Sequence, residues 1–310
     1  VNENKGAGLG SHRADLKLGE NKQGGNMPFK HIIPFAPVII YSLLGTSVFL
    51  SDAFGQWLRA DWKESVLPIE CFEVRGAGDT LEYRVVGTGV LIRYKEVNYI
   101  VTNKHVAQTP NLSMGLNTKD PNFPIIHYHF DLLKTISNEH WHLSPVFDVA
   151  AIRLAYPSNW KDTLDIRSIG VSCIDSSSAV FEGASVYILG FPLGIGFVDQ
   201  GKYSPVYRGG IIAHKDRNEE FLIDANIFPG NSGGPVFMAS HIYEPNTGDF
   251  DPYIKASMIG IVRAYIAYSD TAFSKQTQQP RVMFVENSGL AVVVSSDVIL
   301  EFLEQYSSEK

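Results

Sequence analysis

From about Ser65 onward the apolar residues come in short runs that alternate with, or abut, polar ones, and Gly, Asn, Asp or Pro separates the runs. VLPIECFEV, EYRVVGTGVLIRY, VNYIVTNKHVA and DVAAIRLAY are rich in β-branched and aromatic residues. That texture predicts strands rather than helices, and it predicts one all-β unit over residues 65–160. ASVYILGFPLG, YRGGIIAHK, EFLIDANI, GPVFMA, ASMIGIVRAYI and SGLAVVVSS repeat the texture and predict a second sandwich or barrel over residues 175–310. The turn-rich PSNWKDTLDIRSIGVSCIDSSSA between them reads as the linker. Only SSDVILEFLEQYSSEK has a helical pattern: Ser296 or Asp297 can cap it, and Val298, Leu300, Phe302 and Leu303 allow one apolar face.

The amino-terminal residues follow neither pattern. Residues 1–26 are polar and rich in Gly, Asn and Lys, which leaves too little apolar surface to offset ordering entropy, so they are expected to be disordered or a leader foreign to the natural product. Lys30 and His31 then precede an uncharged apolar run from Ile32 to Leu50, followed by Ser51-Asp52-Ala53. Residues 27–53 read as a secretory signal ending in small residues, which implies export to a periplasm or the cell exterior. The run also has about the length of a short membrane-spanning helix, so an uncleaved anchor and a helix packed on the domain stay open.

Composition adds limits. The chain has 310 residues, 45% hydrophobic and 19% charged, enough for one large or two ordinary domains. Its formal charge of −7 is spread along the sequence, and no basic stripe offers the counterion release that nucleic-acid binding needs. Nucleic acid is therefore not an expected partner. Cys71 and Cys173 stand in no metal-ligand spacing and are expected to be buried free thiols, with a disulfide between them as the open alternative.

Candidate chemistry centres on GNSGGP, residues 230–235. A serine hydroxyl is a poor nucleophile at neutral pH, so Ser232 needs a base, a group that orients the base, and donors for an oxyanion. The base is sought in YIVTNKHVA, where His105 follows a strand-like run. The orienting acid is sought in SPVFDVAAIRL, because Asp148 opens an apolar segment in which an unpaired carboxylate would be costly. Gly230 can turn its N–H toward the same point as that of Ser232, and Gly233 and Gly234 are expected to leave room for a substrate.

Taken in order, VTNKHVA, DVAAIRL and GNSGGPVF resemble the His, Asp and Ser segments of the chymotrypsin-like serine peptidases, most of all the bacterial HtrA/Deg branch. GTGVLI, ILGFPLGIG, IDANIFPGNSGG and MIGIVRAYI extend the resemblance over roughly Ser65 to Leu303. It implies an all-β fold of two packed six-stranded antiparallel barrels with a carboxy-terminal helix and the site in the cleft between them. It also implies His105 as general base and acid, Asp148 as its orienter, Ser232 as nucleophile, and the N–H groups of Gly230 and Ser232 as the oxyanion hole. No metal or organic cofactor is required, and the expected partner is a protein or peptide substrate. Asn231 stands where digestive members carry an Asp that binds a newly cut amino terminus, so activation by trimming is not expected. The chain ends soon after its terminal helix, so no peptide-binding PDZ domain is expected in it.

By spacing, Asn226 lies near the base of the primary pocket, and Arg263-Ala264-Tyr265 lies where a substrate strand would pair. With no acid at the base, a small or medium apolar residue before the scissile bond is expected, with Tyr265 narrowing the entrance. His127, His129, His140 and His142 form two H-x-H pairs, but nothing completes a metal set, and they are expected to be surface or loop residues. GFPLGIG lacks the phosphate-cradling pattern and reads as a turn. Two other functions remain to be weighed. One is a non-cleaving scaffold whose cleft is covered by the inserts at 241–255 and 267–281; the other is an esterase using the same three residues.

Overall fold

The computed structural model describes residues 60–75, 80–156, 160, 162–195, 197–199, 201–239 and 256–308. The expected signal or anchor at 27–53, the leader at 1–26 and the insert at 241–255 lie outside these residues.

The first half begins with a 3-10 turn at Ala60–Ser65 and continues through β1 (Val66–Arg75), β2 (Thr80–Tyr94), β3 (Val97–Thr102), α1 (Lys104–Ala107), β4 (Leu112–Asn117), β5 (Ile125–His129), α2 (Phe130–Ser137), β6 (His142–Leu143), β7 (Ala150–Arg153) and β8 (Ile169–Gly170). Its strands form one sheet in the order β5-β4-β1-β2-β3-β7-β6, antiparallel throughout, with β8 added parallel to β2. The second half contains β9 (Ser185–Gly190), β10 (Phe197–Asp199), β11 (Lys202–Ser204), β12 (Val206–His214), β13 (Glu220–Asp224), β14 (Pro235–Ala239), β15 (Ala256–Phe273), β16 (Pro280–Ser295) and α3 (Ser296–Ser308). Six of these strands close a barrel in the order β12-β13-β16-β15-β14-β9.

The strands read as nearly continuous apolar runs because both of their faces are buried. Leu67, Ile69, Leu91, Ile100, Met114 and Tyr128 fill the interior of the first half. Val186, Ile188, Ile223, Val236 and Val293 fill the second barrel. The alternate positions Val90, Ile92, Val101, Leu189, Phe237 and Val294 turn the other way and form a third cluster, a seam between the halves. Period-two alternation thus sorts each strand between a barrel interior and the seam. Trp62 caps this seam, its ring stacked 4.4 Å from that of Phe237.

The terminal helix packs with most of the expected face, with Ile299 and Tyr306 in place of Leu300. Val298, Ile299, Leu303 and Tyr306 are buried, Phe302 packs against the seam and Leu300 does not join it. Nor do Ser296 and Asp297 cap the helix: Ser296 Oγ donates to the carbonyl of Asp175, and Asp297 accepts the N–H of Ser177 at 3.0 Å, so both hold the linker. At its far end Tyr306 donates to Glu139 at 3.0 Å and packs edge-on against Tyr99, which ties the helix back to the first half. The linker is not a free tether either, since β8 pairs with β2 and the N–H of Asp175 donates to Met258. Two further helices, α1 and α2, were not legible in the pattern, because one is four residues long and the other is flanked by strand-forming histidines. Cys71 and Cys173 are free thiols, the first buried and the second half-buried.

Candidate active site

Strand β3 leads into His105. It ends at Thr102; Asn103 then adopts an extended conformation, and α1 turns His105 away from the sheet. Asp148 lies just ahead of β7, which pairs with β3 in the register Thr102↔Ala150, so the pairing brings the two residues together. His105 Nδ1 donates to Asp148 Oδ2 at 2.7 Å, and the backbone N–H of His105 donates to Oδ1 at 3.1 Å. The Asn103 amide fixes the same turn by donating to the Asp148 carbonyl at 2.8 Å. Burial would raise the Asp148 carboxyl, but the side-chain and backbone bonds from His105, with the charges of His105 and Arg263, outweigh it and hold the group below its usual range.

Ser232 comes from the turn between β13 and β14. Gly230 has φ +98°, in the left-handed region that favours glycine, and a Cβ there would lie 2.3 Å from the Phe191 carbonyl oxygen. Among the described residues no acceptor takes the N–H of Gly230 or of Ser232, whereas the N–H groups of Asn231, Gly233 and Gly234 are bonded to Phe228, Val262 and Asn231 carbonyls. Two amides are thus left free on either side of Asn231. Ser232 Oγ donates to the Arg263 carbonyl at 3.3 Å, and that is its hydrogen bond among the described residues. Gly233 and Gly234 do not clear space for a substrate as expected. Cβ atoms there would lie 2.1 Å from the Thr88 carbonyl and 2.4 Å from the Leu189 carbonyl, so these glycines let the turn press against β2 and β9.

Thr88 was not singled out by the sequence, yet it holds this turn to the first half. Its hydroxyl donates to the Gly230 carbonyl at 2.6 Å and accepts the N–H of Phe191 at 3.2 Å, while its own N–H donates to the Ser232 carbonyl at 2.8 Å. Next to it, Gly87 lies between the two machineries: a Cβ there would be 2.6 Å from Val106 on α1 and 3.3 Å from the Ser232 carbonyl. The turn carrying Ser232 and the helix carrying His105 therefore meet on the same side of β2, at Gly87. GFPLGIG is a turn, as expected, and it also braces the site, because the Leu193 N–H donates to the Pro229 carbonyl at 2.6 Å.

A family model described as a trypsin-like peptidase domain matches residues 87–241, half of the 310-residue chain and the span that holds His105, Asp148 and Ser232. The chain belongs to the trypsin-like peptidases. Among solved structures it is similar to the HtrA-type protease AlgW, in a serine-to-alanine variant, with a tripeptide (19% identity, 82% of this chain and 62% of that one, TM-score 0.44) and with a decapeptide (15% identity, 83% and 66%, TM-score 0.45). The chain spans less than two thirds of the length of each. No curated protein matches it.

The remaining site expectations for this trypsin-like peptidase are met unevenly. Arg263 meets Ser232 through its carbonyl, but its guanidinium turns to Glu220, with Nη1 3.0 Å and 3.1 Å from the two carboxylate oxygens. Tyr265 is half-buried and packs against the interior cluster of the second barrel. Asn226 is exposed beside Gly289, and its carbonyl accepts from Arg208 at 2.9 Å. Asn231 is buried, with neither side-chain polar atom partnered among the described residues. The insert at 267–281 forms the tip of the β15–β16 hairpin. The His105 side chain is 52% exposed, so the base stays open to solvent.

His127 and His129 are not loop residues. They lie half-buried on β5, His127 bonded to the buried Glu70 at 2.8 Å and His129 to Tyr83 at 2.9 Å. His140 is exposed, and the ring of the half-buried His142 stacks 3.6 Å from that of Tyr306. No group of metal-ligating side chains occurs among the described residues.

Proposed function

We propose that this trypsin-like peptidase is a serine endopeptidase in which Ser232 attacks the carbonyl carbon of a peptide bond. His105 Nε2 takes the hydroxyl proton as the C–O bond forms, and the carbonyl oxygen becomes an oxyanion facing the free N–H groups of Gly230 and Ser232. The imidazolium then gives its proton to the leaving amine nitrogen, which leaves an acyl group on Ser232. Water, deprotonated by the same nitrogen, returns the serine. Asp148 holds the proton on Nδ1, so that Nε2 presents its lone pair, and it stabilises the imidazolium once formed.

One observation carries this reading: a histidine bonded twice to one carboxylate sits on a helix that meets, at Gly87, the turn of a serine whose N–H and that of Gly230 have no acceptor among the described residues. The hydroxyl rests on Arg263, and a rotation about χ1 is the motion that would bring it to His105; such bonds often tighten only when substrate is bound. The substrate chain would pair with Arg263-Ala264-Tyr265. Asn226 offers no charge near the primary pocket, so a small or medium apolar residue is proposed before the scissile bond.

The experiment is labelling with a fluorophosphonate, followed by cleavage of a casein-type substrate and of a short-chain ester. Labelling that vanishes in Ser232→Ala, with peptide turnover exceeding ester turnover, is expected. Folded protein that resists the probe would instead favour a non-cleaving scaffold, and ester turnover alone would favour an esterase.

A further inference from the structure

Strand β15 runs well past the barrel it helps to close. Its pairing with β14 ends at Ile261↔Pro235, and a last exchange joins Val262 and the Gly233-Gly234 turn. Beyond that point β15 has one neighbour, β16, which follows it as far as Phe273. The pairing is interrupted between Tyr265 and Ala267, where Ser288 Oγ donates to the Ile266 carbonyl at 2.7 Å and β16 turns through Gly289 at φ +83°. From Ala267 to Asn287 the chain is therefore a two-stranded arm that leaves the barrel, and among the described residues no strand pairs with the edge of β15 opposite β16 from Arg263 to Phe273. That edge starts at the carbonyl that receives the Ser232 hydroxyl.

Two properties of the arm require an occupant. An isolated two-stranded ribbon is marginal in water, and exposed edges are normally blunted by Lys, Pro or burial. Here Ile266–Phe273 reads IAYSDTAF, with Asp270 as its only charge. The ribbon is also apolar on both faces: the consecutive Val282, Met283, Phe284 and Val285 are each more than half exposed, as are Tyr268 and Phe273 across from them. Its charges, Asp270, Glu286, Lys275 and Arg281, balance in sign, so the arm does not select by charge.

We propose that this arm carries substrate pairing on beyond Arg263-Ala264-Tyr265: an extended, apolar stretch of the polypeptide substrate, on the amino-terminal side of the bond to be cut, docks as an added antiparallel strand along Ile266–Phe273 of β15. The inference rests on the catalytic reading above, and the direction follows from the sheet. Every ladder of this barrel is antiparallel, and β15 runs away from Ser232, so a strand paired with it in the same sense runs toward Ser232 and presents its carboxy-terminal end to the nucleophile. The opposite edge, on β16, leads to Gly289 and Asp224 rather than to the nucleophile. The open edge is on the order of 30 Å long, room for about ten extended residues. Main-chain bonds would supply affinity without sequence specificity, and the flanking apolar side chains would favour Val, Ile, Phe or Tyr at alternate positions. The substrate class is thus the apolar, strand-prone segment that an unfolded chain exposes.

The test uses nested peptides that share one cleavable core and are extended by alternating apolar residues on the amino-terminal or the carboxy-terminal side. With the full chain, six added amino-terminal residues are expected to raise kcat/KM about tenfold or more, at a few-fold per residue pair, and carboxy-terminal additions are expected to leave it unchanged. A variant in which an Asn-Gly turn replaces 268–286 keeps the Ala267↔Asn287 pair and should lose the gain while cleaving the short core within about twofold of the full chain. The pair Met283→Thr and Val285→Thr, which keeps strand propensity, should lose part of it. A gain that survives trimming, a gain on the carboxy-terminal side, no gain in the full chain, or trimming that only changes a self-association equilibrium would each overturn the proposal. Fluorescence anisotropy of the longest peptide with Ser232→Ala separates the two readings. Binding lost on trimming would support the arm even if the full chain cuts nothing, and the catalytic reading would then be the one that fails.

Discussion

Replacing Thr88 with Val tests whether the nucleophile turn is held in shape by the first half of the molecule. The substitution keeps the branched shape and removes one oxygen from a position with no exposed surface. That oxygen donates to the Gly230 carbonyl at 2.6 Å and accepts from the Phe191 N–H at 3.2 Å, and it is the acceptor for that N–H among the described residues. Each buried group left without a partner costs about 1–3 kcal/mol, so Thr88→Val should lose about 2–5 kcal/mol. At roughly 2–4 °C per kcal/mol for a domain of this size, the melting temperature should fall by about 5–15 °C.

Its effect on rate separates positioning from bulk stability. The Gly230 carbonyl is the far side of the residue whose N–H faces the developing oxyanion, so releasing it frees that N–H to turn. Losing one such donor costs about 10²–10³ in kcat, and a donor that is only loosened should cost about 10–100-fold, with KM changed much less. Thr88→Ser restores the oxygen without the methyl and should recover most of the rate. Steady-state kinetics on a short peptide, with denaturant unfolding of the same preparations, measures both effects. A Val variant that melts with wild type, or a Ser variant as slow as Val, would refute this account.

Two further outcomes follow from the same geometry. Gly230→Ala should cost at least about 10² in kcat and about 1–3 kcal/mol in unfolding free energy, because φ is +98° and the new Cβ meets the Phe191 carbonyl at 2.3 Å; Gly183→Ala, at φ +83° with nothing within 4 Å, should cost only the backbone strain and leave kinetics unchanged. Asp148 has its carboxyl held below the ordinary value of 3.8, so its contribution to stability is complete above that value and is lost as the pH falls through its folded-state pKa. Unfolding midpoints of wild type and Asp148→Asn should therefore differ at neutral pH and converge in strong acid, a comparison that sets aside the exposed Glu182 and Glu304, also held low; a constant gap down to pH 2 would count against the Asp148–His105 bonds.

The three candidate side chains stood out in the sequence because each lies in an unusual local context: a serine among glycines, a histidine ending a strand, an acid opening an apolar run. The barrel strands were legible as runs, but periodicity does not reveal which face meets which partner. Thr88 was missed for this reason, since its partner Gly230 is 142 positions away and nothing between Gly87 and Gly89 marks it. Glu70 was missed although the same reasoning that found Asp148 applies to it. It is an acid inside the apolar run VLPIECFEV, it is fully buried, and it is bonded to His127 at 2.8 Å and to Tyr203 at 2.7 Å. Had its cost been counted, His127 would have been assigned to a hydrogen bond with a buried acid rather than to a loop. Gly233 and Gly234 were misjudged because a glycine requirement shows that space is needed, not what fills it.

The two halves contribute unlike parts, and the seam between them makes the site. The first half supplies His105 and Asp148; the second supplies Ser232 and the two free amides. Among the couplings that cross the seam, those nearest Ser232 and Asp148 are the Thr88 hydroxyl to Gly230, the Thr88 N–H to Ser232, and the Arg263 charge that helps to keep Asp148 ionised. Arg263 is itself held by Glu220 on β13, so its position follows the closed barrel rather than a mobile loop. Separating the halves by even an ångström or two would release the turn, since hydrogen bonds of 2.6–2.8 Å do not stretch that far. It would also weaken the field on the orienting acid. Seam residues far from the chemistry, such as Phe237 and Tyr306, therefore bear on activity through the distance between the halves, and their substitution should lower turnover before it unfolds the chain.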